Sequence, residues 1–170
     1  SKGLVYTSAP LETNLAIAGH PVITLDVASD AADGEFNAYL EKVTPDNKSQ
    51  FVTEGVRLAS RRVLGTPDYD NLGLPVADNS KTVVEAALPL NESGVVTLTF
   101  YLQPVGMLFE KGSRLRLAIT GADADNSFQK PVTPAPTHTI YTGGQHPSKL
   151  SLPIIKDTIS LDFNDWVDPR

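Results

Sequence analysis

The chain has 170 residues, 41% of them hydrophobic, with 14 lysines and arginines against 20 aspartates and glutamates, for a net charge of −6. Its length suits one domain with a sizeable core, and its composition is that of a folded protein and not a disordered one. The acidic balance, with no basic cluster beyond Arg61-Arg62, argues against nucleic acid as a partner; no apolar run approaches the roughly 20 residues that span a bilayer, so no membrane partner is expected; and the absence of cysteine removes disulfides and thiolate metal ligands.

In chain order, the apolar residues recur mostly with a period of two. VITLDVAS (residues 22–29) sets Ile23, Leu25 and Val27 on one face against Val22, Thr24, Asp26 and Ala28 on the other. FNAYLEKV (36–43) and FVTEGVRLASRRV (51–63) show mixed alternation with many β-branched residues. VVTLTFYL (95–102) aligns Val96, Leu98, Phe100 and Leu102. RLRLAIT (114–120) places Leu115, Leu117 and Ile119 opposite Arg114 and Arg116, and HTIYTG and KLSLPII follow. Such alternation marks strands of a half-buried sheet.

The 12 glycines and 13 prolines fall between these runs, at Gly19-His20-Pro21, Asp33-Gly34, Thr44-Pro45-Asp46 and Gly143-Gly144 among others. These are turn signals, because Gly permits positive φ and Pro presets it. Residues 81–88 could form a short helix. Residues 64–80, LGTPDYDNLGLPVADNS, read as a long surface loop, and residues 126–136, with three prolines, as an extended crossing. Many short strands with such punctuation predict an all-β fold, a sandwich or jelly roll. Residues 1–156 are expected to form it, with 157–170 (including TISLDF) as a last strand and tail. The start at Ser1-Lys2-Gly3, without an initiator methionine, suggests a piece processed or excised from something longer.

No serine has the Gly-x-Ser-x-Gly setting of a nucleophile elbow. Serine, histidine and aspartate are all present, but a triad is defined by geometry and not by inventory. His20, His138 and His146 are read as turn or strand-end residues: His20 precedes Pro21, His138 opens a strand and is expected to be partly buried, and His146 in GGQHPSK has no carboxylate marked nearby. Asp123 and Asp125 end the strand that begins at Arg114. As a calcium loop of EF-hand type they fail, because the sixth position is Phe128 and the twelfth Pro134. Asp30 and Asp33, and Asp68 and Asp70, are equally loose pairs. The turn reading is favoured for all of them, since Asp bonds its own backbone; a calcium site of another kind between loops stays open. No catalytic, cofactor-binding or metal-ligating residue is assigned, and no cofactor is expected.

The motif order carries a resemblance. Tyr6-Thr7-Ser8-Ala9-Pro10-Leu11, Gly19 before a strand, an Asp-rich turn and FNAYLEKVTPD come first; then TEGVRLASRR with Arg57, Ser60 and Arg62; then FEKGSRLRLAITGAD; then GGQHPSKLSLPII. Over residues 4–155 this series resembles the carboxy-terminal domain of X-Pro dipeptidyl-peptidases and cocaine-esterase-type acyl hydrolases. The resemblance implies a jelly-roll β-sandwich like galactose-binding domains. It further implies a non-catalytic accessory domain that packs on the α/β-hydrolase domain of a serine hydrolase, peptidase or acyl esterase, and helps to shape the substrate entrance. That hydrolase domain is then the expected partner, and the triad lies there.

Two rival functions remain. A carbohydrate-binding module would use exposed aromatics. Trp166 lies in the acidic tail, and Tyr6, Tyr39, Tyr101 and Tyr141 lie in strand patterns where core packing is the default, which leaves Tyr69 in the long loop. A structural interaction module would show a large exposed apolar patch. In the accessory-domain reading the 64–80 loop is the first candidate for the docking face, through Leu64, Tyr69, Leu72, Leu74 and Val76; the alternative, of equal weight, is that these side chains fold back over the edge of the sandwich.

Overall fold

The computed structural model describes residues 3–85, 89–91, 94–123 and 134–155. Among these the chain forms β1 (Leu4–Thr7), β2 (Leu15–Gly19), β3 (Val22–Ser29), β4 (Glu35–Val43), β5 (Ser49–Leu58), a short helix α1 (Lys81–Glu85), β6 (Val96–Tyr101), β7 (Val105–Phe109), β8 (Arg114–Thr120), β9 (His138–Gly143), β10 (His146–Pro147) and β11 (Lys149–Ser151). All pairings are antiparallel. One sheet has the order β1-β8-β4-β5. In the other, β6 runs along one edge of β3, while β9 and β11 share the opposite edge and β10 pairs with β9. β2 and β7 form a two-stranded ribbon.

The two sheets bury facing alternate residues, and this makes the fold an all-β sandwich. Ile23, Leu25 and Val27 of β3 and Leu98 and Phe100 of β6 meet Phe36, Ala38 and Leu40 of β4 and Ile119 of β8. Ile17 and Phe109 of the ribbon join the same core. The period-two patterns at 22–29, 95–102 and 114–120 therefore face the way the sequence predicts. Burial of such side chains stabilises by about 1.5–3 kcal/mol each.

The run at 51–63 departs from its expected single strand. β5 ends at Leu58, and Ala59–Arg61 turn into a 3-10 helix. Asp33 explains the break: its carboxylate accepts from the backbone N–H of Ser60 at 2.8 Å and from Ser60 Oγ at 2.5 Å, while Ala59 N–H donates to Gly34. KLSLPII likewise yields only β11, because Pro153 cannot donate to a ladder; Ile154 then bridges to Ile17 and Ile155 N–H donates to Ala16. β1, β2 and β7 were not marked by alternation. β1 is exposed at every residue, so it has no buried face to show in the sequence. The helix over 81–85 agrees with expectation. TISLDF, the tail and residues 126–133 of the proline-rich crossing lie outside the described residues.

The sandwich has two seams. On one side β5, the edge of the first sheet, comes against the end of β6. Thr53 Oγ1 donates to the Gln103 carbonyl at 2.7 Å and Gln103 N–H to the Glu54 carbonyl at 2.8 Å. A Cβ on Gly55 would stand 2.6 Å from the Tyr101 carbonyl oxygen, so only glycine fits there. On the other side β1 and β8 face β9 and β11 across an apolar cleft of about 420 Å³, where Leu115, Leu117, Ile140 and Leu150 are half-buried. Gly55→Ala should destabilise the chain by about 1–3 kcal/mol, as overpacking against a fixed backbone does. A urea midpoint equal to that of the unaltered chain would show that the two backbones are not in contact.

Candidate functional site

Among the described residues serine, histidine and aspartate meet in two places, and neither arrangement is that of a triad. In the first, Asp33 gives both carboxylate oxygens to Ser60 and to the backbone of Gly34 and Ser60. His138 stands beside them, its ring 5.1 Å from that of Phe36. A Cβ on Gly34 would approach the imidazole to 2.7 Å, so the glycine makes room for the ring. Yet His138 Nδ1 is buried with no hydrogen-bond partner among the described residues, and Ser60 spends its proton on Asp33. A nucleophile needs its serine bonded to the base and the base to the carboxylate. Here the carboxylate takes the serine directly, which ties the turn before β4 to the end of β5.

In the second place, Asp26 of β3 is 8% exposed and accepts from Thr97 Oγ1 at 2.5 Å. Its backbone N–H donates to Ser148 Oγ. His146 Nδ1 lies 3.8 Å from Asp26 Oδ2, and its ring packs on Tyr141. The sequence marked no carboxylate near His146; the structure brings one from 120 positions away, because β9 pairs with β3 and β10 with β9. The distance exceeds that of a hydrogen bond. His20 behaves as a turn residue: Nδ1–H donates to the Leu102 carbonyl at 2.9 Å, and the ring meets Tyr101 edge-on.

Of the paired aspartates, Asp123 is described and Asp125 is not. The Asp123 carboxylate accepts from the Tyr39 hydroxyl. Burial, then this hydrogen bond and the Asp123 charge, hold the Tyr39 hydroxyl above its ordinary pKa. Asp70 and Asp78 bond backbone N–H groups two residues on, as turn residues do. No group of three or more acidic or histidine residues with metal-holding geometry occurs among the described residues.

The tyrosines in strands are less buried than expected. Tyr6 is exposed, and Tyr39, Tyr101 and Tyr141 are half-buried. Tyr39 and Tyr101 line a cavity of about 630 Å³ at the seam of β5 and β6. Glu35 and Asn37 reach it from β4, both buried, with Asn37 Nδ2 donating to Glu35 Oε1 at 2.8 Å. Arg57 and Arg61 reach it from β5 and the 3-10 turn, and Val76, Ala77 and Asn79 of the long loop line it as well. Sequence reading passed over this set, since alternation assigns residues to a face without saying what the face meets.

The 64–80 loop is a built structure. Leu64 and Ala77 form an isolated bridge, Gly65 N–H donates to Val76 and Asp78 N–H to Val63. At the tip Leu72 is 80% exposed with φ of 57°, a conformation unfavourable for leucine. Tyr69 and Leu64 are also exposed, whereas Leu74 and Val76 are half-buried.

Burial is the main influence on His138 and lowers its pKa below 6.5, with Asp30 and Asp33 opposing. The folded state then favours the neutral ring, so the unfolded chain binds protons first as pH falls. This contribution is intact above about pH 6.5 and is lost as pH drops through the unfolded value and then the folded one. The melting temperature should fall between about pH 7.5 and 5.5, and His138→Phe should flatten that part of the curve. Superimposable pH profiles for the two proteins would contradict this.

Comparison with known proteins follows the same lines. Residues 1–151 match the family described as the X-Pro dipeptidyl-peptidase C-terminal non-catalytic domain. Two proteins provisionally named serine esterases, from Mycobacterium bovis and Mycobacterium tuberculosis, are each 39% identical over 158 residues. The match takes in 92% of this chain and 24% of each relative, so the chain spans about a quarter of their length. A CocE/NonD family hydrolase from Staphylococcus aureus superposes with a TM-score of 0.73 at 20% identity, over 91% of this chain and 30% of that one. An α-amino acid ester hydrolase gives 0.66 at 19% identity, over 90% and 25%.

Proposed function

Because the chain belongs to the family of X-Pro dipeptidyl-peptidase C-terminal non-catalytic domains, we propose that it is the accessory domain of a larger serine hydrolase of α/β-hydrolase type. In this reading it docks on the catalytic domain and helps to shape the substrate entrance, and its sandwich is of the jelly-roll type. The family match over residues 1–151 carries the proposal. The arrangement of Asp33 and Ser60, which spends the carboxylate on the serine and leaves His138 aside, supports it. So does the share of the relatives that the chain leaves uncovered, which has room for a catalytic domain.

The tip of the 64–80 loop is the proposed docking element. Inter-domain interfaces bury roughly 600–1,500 Å² and mix polar with apolar groups. Leu64, Tyr69 and Leu72 are exposed among Asp and Asn, and the loop's own hydrogen bonds hold them outward. A strained, exposed leucine contributes nothing to the isolated sandwich, and it gains a role when a partner surface covers it.

The isolated chain should hydrolyse neither p-nitrophenyl esters nor Xaa-Pro amides. A turnover that disappears on mutating one of its own serines would reject the accessory role. Leu72→Asp should leave the melting temperature of the isolated chain unchanged within about 1–2 °C, because the side chain touches little, and should weaken association with the parent's catalytic portion at least about tenfold. Unaltered association in a titration of the two parts would move the docking face elsewhere.

A further inference from the structure

Side chains alternate along β5, so Thr53, Gly55 and Arg57 point one way and Glu54, Val56 and Leu58 the other. The register settles which way is inward. Thr53, Gly55 and Arg57 stand opposite Leu40, Ala38 and Phe36 of β4, all buried in the core. Arg57 thus occupies a core-facing position, where an apolar residue is the rule and a polar one calls for explanation.

Its surroundings do not neutralise it. Nη2–H donates to the Pro75 carbonyl at 3.3 Å, a long bond. Nε–H is buried without a partner, and no carboxylate pairs with the guanidinium among the described residues. Burial lowers the pKa of the group, with only Tyr101 acting the other way. Glu54 and Glu35 border the same cavity but belong to the opposite face of β5 and β4, where they act on Tyr39, and Glu35 is already held by Asn37. A half-buried cation with no carboxylate partner among the described residues therefore borders a cavity of about 630 Å³, within the range of small-molecule sites.

We propose that Arg57 anchors a binding site for a small monocarboxylate with an apolar body, at the seam of β5 and β6. Nε is buried, so the fork that pairs with a carboxylate is the Nη end of the guanidinium: Nη1 and the Nη2–H that the Pro75 carbonyl does not take. Val76, Ala77, Phe100 and Tyr101 supply the wall for the apolar body, and Asn79 and Gln103 add amide groups. Glu35 and Glu54 disfavour ligands of higher negative charge, because they border the cavity with like charge. Gly55 keeps the seam narrow by letting β5 reach the Tyr101 carbonyl. Arg57 also tethers the loop through Pro75, and the test separates the two roles.

The test is an NMR titration of the 15N-labelled 170-residue chain with sodium hexanoate and, in parallel, with hexanamide. Hexanoate should give saturable shifts at the amides of Gly55, Asn79 and Gln103 with Kd below about 10 mM, and hexanamide should bind at least about tenfold more weakly. Arg57→Gln should weaken hexanoate about tenfold or more and abolish its advantage over hexanamide, whereas a purely tethering arginine would weaken acid and amide alike. Absence of saturable shifts, equal affinity for acid and amide, or unchanged binding by Arg57→Gln would each overturn the site. If Arg57→Gln does not fold, the comparison of acid with amide on the unaltered chain decides alone.

Discussion

The contact of Gly55 with the backbone at Tyr101 sets how the two sheets close on each other. A β-sandwich needs its facing sheets about 10 Å apart in the middle, but its edge strands must approach or be covered. Here β5 approaches, and the lack of a side chain at Gly55 makes that possible. Thr53 and Gln103 complete the seam with hydrogen bonds. Once β5 is fixed there, its next inward residue, Arg57, is carried to the mouth of the sandwich, and the loop after residue 64 crosses in front of it to give Pro75 as a hydrogen-bond acceptor.

Buried polar groups do most of the work of tying irregular segments to this frame. Asp33 organises two turns with one carboxylate. Lys42, 6% exposed, reaches the Leu108 carbonyl and pairs with Glu110, linking β4 to β7. Asp26 joins β3 to Thr97 and Ser148. Each spends its hydrogen-bonding capacity on structure, as buried polar groups must to offset their desolvation. Ser113, His138 and Arg57 are the exceptions, each with a buried side-chain atom that has no hydrogen-bond partner among the described residues. The histidine can stay neutral, so the added cost of burying its charge arises only as pH falls. The arginine cannot discharge, and this is why an anionic partner is proposed for it.

The two proposed roles use different parts of one loop. Its tip presents Tyr69 and Leu72 outward, while Val76, Ala77 and Asn79 line the cavity that Arg57 borders.

Much of the frame was legible in the amino-acid sequence. The alternations at 22–29 and 114–120 named Ile23, Leu25, Val27 and Ile119 as inward-facing, because a strand with one buried face must repeat every two residues. The order of motifs pointed to the family that the match over residues 1–151 then showed. Strands without a buried face left no such mark, and β1 with its four exposed residues is the case in point. Nor could the sequence place Asp26 near His146 or Asp123 on Tyr39, since these pairs are joined only by strand register between segments 84 to 120 positions apart. Local chemistry determined which residues alternate, turn and cap. Only the tertiary structure decided that Arg57 faces inward without a carboxylate and that Leu72 is held outward, because each follows from which strand lies opposite and not from the residues beside it in the chain.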